Sequence, residues 1–274
     1  MKKLLVTGSG GFIGQYLLPL VKNYDVVRFV GDLRNIEDVE RNINNDISIV
    51  VNLASKVDGP SEELSDVNVK GLENLLSVLR KKASGLEKFI QIGSAAEYGL
   101  SESPINESSP TNPISDYGRT KLVQTRMVMG AFCDSNVNVV TLRLFNIVGK
   151  NMSENMLFAR IKNDFENDSL SKIVISNKKS VRDWIDVRDV TSLIARFVTD
   201  KIPDCQIYNI GRGIKVTNYE IVLAFEKYRN IQKKVVENAS LSDCSVADIS
   251  KLQGLFPDWE SKHNLDDMVK SLYE

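Results

Sequence analysis

The feature that most constrains the fold is an alternation of short apolar runs with longer amphipathic stretches. The first run passes into a glycine-rich segment and then into a helical pattern over Phe12–Lys22, and a second helical pattern covers Val69–Lys82. The predicted strands are Lys3–Thr7, Val26–Val30, Ser48–Leu53, Lys88–Ile92 and Asn138–Phe145. Strands that alternate with helices predict a parallel sheet, and uninterrupted apolar strands indicate burial on both faces. We therefore expect an α/β fold with a doubly wound parallel sheet.

Composition and charge exclude several classes of protein. The 274 residues include 35 basic and 36 acidic side chains, so bulk charge gives no reason to expect a nucleic-acid partner. We expect no membrane association, because no run approaches the ~18 apolar residues of a membrane span. The apolar start of the chain breaks into glycines too soon for a secretory signal. The three cysteines are odd in number and far apart and there is one histidine, so neither a disulfide nor a metal site is expected. We expect a cytoplasmic protein.

Three glycines follow the first strand at the spacing GxxGxxG. Gly8, Gly11 and Gly14 lie between the strand and the helix that starts at Phe12. Glycines at such a turn permit a tight bend, a close approach to a pyrophosphate, and close packing of the helix on the strand. The position indicates a Rossmann-type site for a dinucleotide. We expect residues 1–150 to form this domain, a segment near 181–210 to return to it, and residues 151–274 to form mainly a substrate-binding lobe.

The end of the second strand bears on the choice between NAD and NADP. Asp32, followed by Leu33, is the acidic residue closest to the expected ribose position. Arg28 and Arg34 lie on either side of it, and an arginine there would suit a 2′-phosphate. Either arginine is equally well explained as a solvated surface charge. The sequence leaves NAD and NADP as alternatives.

A tyrosine and a lysine four residues apart form the second chemical motif. In a helix, Tyr117 and Lys121 of YGRTK share a face. An ammonium beside the phenol would lower its pKa from about 10, so that Tyr117 could exchange a proton with a substrate hydroxyl near neutral pH. Ser94 follows a predicted strand upstream, where a hydroxyl could hold the reacting oxygen.

In this order the motifs resemble those of the NAD-dependent epimerase/dehydratase family, the extended short-chain dehydrogenases/reductases that modify nucleotide-sugars. The segments that carry the resemblance are TGSGGFIG, VVNLAS, NVKGLENLL, GSAAEYG, YGRTK, LRLFNIVG and VRDWIDVRDV. By resemblance, the catalytic residues are Ser94, Tyr117 and Lys121, with Tyr117 as acid/base. Asn146 and Arg182 would bind the substrate together with Ser94, and the arginine suits its diphosphate. The residues that the resemblance places along NAD or NADP are Gly8, Gly11, Phe12, Ile13, Gly14, Asp32, Leu33, Ala54, Tyr117 and Lys121.

Departures from the family pattern narrow the expected reaction. Related 4,6-dehydratases carry an Asp-Glu pair after the catalytic hydroxyl, and here Ala95 and Ala96 occupy those positions. Asp32 could also correspond to the family's adenine-contacting aspartate rather than to its ribose acid. We expect reduction of a nucleotide 4-keto-6-deoxy sugar at C4, with a nucleotide-sugar 4-epimerase as the alternative and a catalytically silent dinucleotide sensor as a third reading. A homodimer is expected from the family.

Overall fold

A computed structural model describes residues 1–101, 104–238 and 243–274. The helices are α1 Phe12–Leu17, α2 Ile36–Asn42, α3 Ser61–Ser65, α4 Gly71–Lys82, α5 Asp116–Phe132, α6 Leu157–Glu166, α7 Val187–Thr199, α8 Asn218–Arg229, α9 Ser250–Leu255 and α10 Leu265–Ser271. The strands are β1 Lys3–Thr7, β2 Asp25–Arg28, β3 Ile47–Asn52, β4 Lys88–Ser94, β5 Asn138–Leu144, β6 Asn146–Val148, β7 Lys172–Ile175, β8 Val181–Arg182, β9 Trp184–Asp186, β10 Gln206–Ile210, β11 Val216–Thr217, β12 Lys234–Glu237 and β13 Cys244–Ser245.

Six parallel strands form the central sheet in the order β10-β5-β4-β3-β1-β2. The order reverses direction at β1, which pairs with β2 on one side and with β3 on the other. Ligands of open α/β sheets bind in the crevice at such a reversal, beyond the carboxyl ends of the strands. The expected doubly wound parallel sheet is confirmed, and the glycine turn that follows β1 lies at this reversal.

Apolar side chains cover both faces of the sheet. One face carries Leu5 and Phe89, which belong to a buried cluster with the inner faces of α2, α4 and α5. The alternate residues Leu4, Val6 and Ile90 point the other way and are also fully buried. Successive side chains of a strand point to opposite faces, so a strand buried on both sides needs the continuous apolar run that the sequence shows.

The chain divides into two compact units. The first consists of residues 1–99, 107–144 and 191–209 and contains nearly all of the central sheet. The second consists of residues 100–106, 145–190 and 210–274 and has the small sheets β11-β8-β13, β7-β12 and β6-β9. Its core includes aromatic pairs, with 4.8 Å between the ring centroids of Phe158 and Trp184. The assignment of a dinucleotide-binding domain and a substrate-binding lobe stays a prediction.

Two cysteines of the first unit form a disulfide, so the expectation of none is wrong. Cys133 directly follows α5 and Cys205 directly precedes β10, and their Cα atoms are 5.2 Å apart although 72 positions separate them in sequence. The two meet because α5 leads into β5 and β10 is the neighbour of β5 in the sheet. Separation along the chain therefore gave no information on their distance in space.

The described residues contain neither a membrane-spanning helix nor a metal-binding cluster. None of their helices is long and apolar enough to cross a membrane. Nor do they contain a group of three or more His, Cys, Asp or Glu side chains placed to hold a metal ion.

Candidate active site

The glycine turn after β1 leaves no space for side chains at two of its three glycines. Gly8 has φ +63°, and a Cβ on it would lie 2.8 Å from the backbone nitrogen of Ala54. A Cβ on Gly14 would lie 2.4 Å from the carbonyl oxygen of Ser9, so α1 packs directly on the turn. The hydroxyl of Thr7 accepts a hydrogen bond from the Ala54 N–H at 3.2 Å, which ties the end of β1 to the segment after β3. The turn and Ala54 are therefore brought together.

Asp32 is engaged by its neighbour Arg34. The guanidinium donates to both carboxylate oxygens of Asp32, from Nε at 3.0 and 2.9 Å, and this bonding lowers the pKa of the carboxyl group. The backbone N–H of Asp32 donates to Asp38 at 2.8 Å. Leu33 is buried in the core of the first unit, and its carbonyl accepts a hydrogen bond from Asn74 at 2.9 Å. A cofactor contact from Leu33 would therefore have to come from its backbone.

Ser94 and Tyr117 meet at the carboxyl end of β4. Ser94 is the last residue of β4 and caps a short 3-10 helix over Ala95–Glu97, because its hydroxyl accepts the N–H of Ala96 at 3.1 Å. Tyr117 lies in the first turn of α5, close enough to Ser94 for that side chain to influence the pKa of its phenol. A Cβ on Gly118 would lie 2.4 Å from the carbonyl oxygen of Ala96. The glycine next to Tyr117 is therefore what lets α5 come close enough for this contact.

The ionisation of Tyr117 differs from the sequence-based expectation. Burial raises its pKa to about 12, the neighbouring Ser94 side chain opposes this, and the nearby Glu97 carboxylate adds to it. The expectation that the pKa of Tyr117 lies below its ordinary value is wrong, because the net shift is upward. Burial disfavours the charged phenolate, and it is the largest influence on the pKa of this phenol.

Lys121 is buried on α5, with 2% of its surface exposed. Its ammonium donates to the carbonyl oxygen of Ile92 and, at 2.7 Å, to Oε1 of Gln124. Burial lowers its pKa to about 8, against the attraction of Glu97. An ammonium has three donors, so one remains beyond these two bonds for a ligand.

A buried polar network surrounds Lys121 and was not found from the sequence. Gln124 accepts a hydrogen bond from the Lys121 ammonium and donates one to the carbonyl oxygen of Asn68 at 2.6 Å. The Asn68 amide donates to Thr120 at 2.9 Å and to the carbonyl oxygen of Lys56 at 2.8 Å. Asn68 belongs to NVKGLENLL, one of the segments that carry the family resemblance, which by itself gives this residue no role. Its side chain connects α5 to the segment after β3.

A buried ion pair lies behind Ser94. Glu97 accepts the backbone N–H of Ser94 at 2.9 Å, the hydroxyl of Thr125 at 3.0 Å and Nε of Arg143 at 2.8 Å. A Cβ on Gly93 would lie 2.6 Å from Oε1 of Glu97, so this glycine leaves room for the carboxylate. The sequence signals for this ion pair are Glu97 within GSAAEYG and Arg143 within TLRLFN. A charged residue among apolar residues needs a partner of opposite charge when it is buried.

The two expected substrate contacts lie in the second unit. The Asn146 amide donates to the carbonyl oxygen of Asp183 at 2.9 Å. Arg182 is partly buried and pairs with Asp243, to which Nη1 donates at 2.8 Å. Two acids close to Arg182 in the sequence are engaged elsewhere: Asp183 accepts three backbone N–H groups and Asp186 pairs with Arg188.

Comparison with known proteins places this site in a family. Residues 4–211 match the family described as "NAD dependent epimerase/dehydratase family". The chain belongs to this family. The match includes both segments that carry Ser94 and Tyr117, and it confirms the resemblance inferred from the motifs. The description of the family names NAD, in agreement with the expected NAD or NADP cofactor.

The relatives of this epimerase/dehydratase family member act on nucleotide-sugars. A GDP-6-deoxy-D-talose 4-dehydrogenase from Aggregatibacter actinomycetemcomitans is 29% identical over 233 residues, which are 80% of this chain and 77% of that protein. The UDP-glucose 4-epimerase 4 of Oryza sativa subsp. japonica is 28% identical over 229 residues, 75% of this chain. The alignment spans 61% of the rice protein, so this chain matches less than two thirds of that relative's length. Among solved structures, RMD from Pseudomonas aeruginosa complexed with NADPH is similar with a TM-score of 0.89 at 19% identity, covering 99% of this chain and 97% of that one.

The residues of the first unit fit the dinucleotide that defines the family. The turn at Gly8 and Gly11 has the tight backbone that a pyrophosphate requires, and the space above Gly10 is open, with no atom within 4 Å of a Cβ built there. The first N–H groups of α1, from Phe12 and Ile13 onward, have no acceptor within the helix itself. Phosphate oxygens are suitable acceptors at such a position.

Proposed function

We propose that this protein is an NAD(P)H-dependent reductase that converts the C4 ketone of a nucleotide-activated 4-keto-6-deoxy sugar to an alcohol. The observation that carries the proposal is the close approach of the start of α5, with Tyr117, to Ser94 at the end of β4, with Lys121 buried one turn further along α5. One hydroxyl and one acid suffice to protonate a reduced carbonyl. Ala95 and Ala96 offer no acid/base pair for elimination of water, which supports reduction over dehydration.

In this mechanism the chain positions the ketone and supplies one proton. The bound nicotinamide would supply a hydride to C4. Ser94 accepts the N–H of Ala96, so its own proton remains to be donated to the ketone oxygen. Tyr117 is protonated at neutral pH and transfers its proton to the same oxygen as C4 becomes tetrahedral. Lys121 then stabilises the phenolate that remains, and the phenol is restored by a proton from water.

The polar groups of the second unit are kept as proposed substrate contacts. Asn146 and Arg182 would hold the sugar nucleotide, and Arg182 would have to exchange Asp243 for a phosphate.

We also propose a cytoplasmic homodimer. Val123 on α5 is 37% exposed, whereas Met127 and Met129 pack partly against the core. Light scattering of the purified protein tests the dimer directly.

The test of the reductase is turnover. The purified protein would be incubated with GDP-linked or dTDP-linked 4-keto-6-deoxy sugars and NADH or NADPH, while absorbance at the nicotinamide band is followed. We expect oxidation of the cofactor that depends on the sugar and falls about 10²–10⁴-fold in Tyr117→Phe. Turnover that survives this substitution, or no turnover with any such ketone, would overturn the proposal.

A 4-epimerase is the second candidate, favoured by the same three side chains and by the UDP-glucose 4-epimerase relatives. An epimerase regenerates its cofactor at every cycle, whereas a reductase must exchange it. Mass spectrometry of nucleotide released from denatured protein separates the two. NAD at near one equivalent per chain, with interconversion of UDP-glucose and its C4 epimer, would replace the reductase by the epimerase. Dinucleotide binding without turnover of any sugar would indicate a sensor.

A further inference from the structure

An open groove of about 510 Å³ runs along the first unit beside the glycine turn. Its walls are the turn at Ser9 and Gly10, the outer side of α1 with the 3-10 helix that follows, and Arg28 at the end of β2. Gln15 lines it from α1 and donates to the carbonyl oxygen of Gly10 at 3.0 Å. The groove therefore joins the expected pyrophosphate position to the end of the second strand.

The groove is positively charged. Lys22 and Arg28 line it, both are exposed, and no carboxylate is among its lining residues. In the part of the chain that the structure describes, neither of these side chains forms an ion pair. Arg34, the other arginine near this strand, is already neutralised by Asp32. Two cations without a counter-charge at a concave surface favour an anionic ligand.

The place of the groove determines which anion it fits. In a Rossmann-type site the adenosine ribose lies at the end of the second strand, where a carboxylate binds its 2′-hydroxyl in NAD enzymes and an arginine accommodates the 2′-phosphate of NADP. Here β2 ends at Arg28. Both oxygens of Asp32 already accept hydrogen bonds from Arg34, so a ribose hydroxyl would share this acid with the guanidinium.

We propose that the groove is a phosphate-monoester site that binds the 2′-phosphate of NADP(H) through Arg28 and Lys22, so that the protein prefers NADP(H) to NAD(H). A 2′-phosphate carries close to two negative charges at neutral pH, and a guanidinium can bind it with two parallel hydrogen bonds. The proposal deepens the proposed function, on which it rests only for the binding of a dinucleotide at the glycine turn.

Binding of adenosine fragments to the full chain tests this site without any catalytic step. Isothermal titration would compare adenosine 2′,5′-bisphosphate with adenosine 5′-monophosphate, and NADPH with NADH. We expect the 2′-phosphorylated member of each pair to bind at least about tenfold more tightly, and the difference to shrink as salt is raised. Equal affinity within both pairs overturns the proposal.

Substitutions then assign the contact. Arg28→Gln should lower the affinity for adenosine 2′,5′-bisphosphate at least about tenfold, and Lys22→Gln should lower it less. Both variants should bind adenosine 5′-monophosphate as tightly as the parent. Both side chains are exposed, so the variants should fold. Lys201→Gln is the matched control, because Lys201 is an exposed cation outside the groove. This substitution should change the affinity for neither ligand. Loss of the preference in Arg34→Gln, with Arg28→Gln unaffected, would overturn the assignment.

The outcomes also separate this proposal from the reductase. A preference for the 2′-phosphate in a protein that turns over no sugar would support the groove and count against the reductase. Turnover of a 4-keto sugar with NADH and NADPH at equal affinity would support the reductase and overturn the groove.

Discussion

Glu97 and Arg143 form an ion pair that is closed off from solvent at the end of β4. Oε2 of Glu97 accepts Nε of Arg143 at 2.8 Å, and the two side chains are 0% and 3% exposed. The guanidinium carbon also lies 4.5 Å from the centre of the Tyr98 ring. Through its other oxygen, Glu97 holds the backbone of Ser94, so the pair supports the residue that we expect to bind the reacting oxygen.

Removing one member of this pair should destabilise the protein strongly. Arg143→Met leaves the Glu97 carboxylate buried without its counter-charge, and such losses cost about 3–5 kcal/mol. The double variant Glu97→Gln with Arg143→Met buries no charge and should recover a large part of that loss. Urea unfolding followed by circular dichroism measures each free energy of unfolding.

The surface pair Asp116–Arg119 provides the control for this prediction. Its side chains are 42% and 54% exposed, so Arg119→Met should change the free energy of unfolding by less than about 1 kcal/mol. If Arg143→Met cost no more than Arg119→Met, the buried pair would not have the structural importance that its burial indicates.

Two glycines of α5 should respond in opposite directions to alanine. At Gly118 the new Cβ would lie 2.4 Å from the carbonyl oxygen of Ala96, so Gly118→Ala should push the helix away from β4 and cost about 1–3 kcal/mol. At Gly130 a Cβ would meet no atom within 4 Å outside the local helix backbone, and Gly130→Ala should stabilise the helix by about 0.5–1 kcal/mol.

Activity distinguishes a local from a general effect of these substitutions. Because Gly118 sets the approach of Tyr117 to Ser94, kcat of Gly118→Ala should fall at least tenfold at a temperature where the variant is folded. Gly130→Ala should keep the parent kcat. Full activity in Gly118→Ala would show that the close approach of α5 to β4 is not needed.

The sequence predicts the sheet well because its strands are uninterrupted apolar runs. β1 has the predicted bounds Lys3–Thr7, and the other four predicted strands differ from the structure by at most two residues at either end. The first predicted helix is less regular: α1 ends at Leu17, and a 3-10 helix that includes Pro19 follows. Proline lacks the N–H that would continue the α-helical pattern.

The site is only partly predictable for a different reason. Ser94 and Tyr117 follow recognisable motifs, so their meeting was expected. The polar network around Lys121, by contrast, depends on which strands and helices become neighbours. Lys121 donates to the carbonyl oxygen of Ile92 on β4, and Gln124 donates to that of Asn68 in a distant segment. Pairings between distant segments have no local signature in a single sequence, which is also why the bond between Cys133 and Cys205 was missed.

The disulfide should be detectable by counting thiols. Protein purified without reductant and then denatured should expose one reactive thiol, that of Cys244, and three after reduction. Closing a loop of 72 residues restricts the unfolded chain, so reduction should lower the free energy of unfolding by about 2–4 kcal/mol. Cys205→Ser should reproduce this loss and Cys244→Ser should not. Three thiols before reduction would contradict the bond.

The pH dependence of ketone reduction should report Lys121 rather than Tyr117. The pKa of Tyr117 is raised to about 12, so the phenol keeps its proton throughout the neutral range. The pKa of Lys121 is lowered to about 8, so its ammonium loses a proton and its positive charge as the pH rises through 8. Since that charge stabilises the phenolate left by proton transfer, kcat/KM should be level below pH 8 and decline above it.

The kinetic measurement needs both substrates well below saturation, because kcat/KM then reflects the free protein. Lys121→Arg places a permanently charged group at the same position. Its kcat/KM should be lower than that of the parent at pH 7 but should show no decline between pH 8 and pH 10. A decline near pH 8 that is the same in parent and variant would mean that another group titrates, and the role assigned to the Lys121 ammonium would then be wrong.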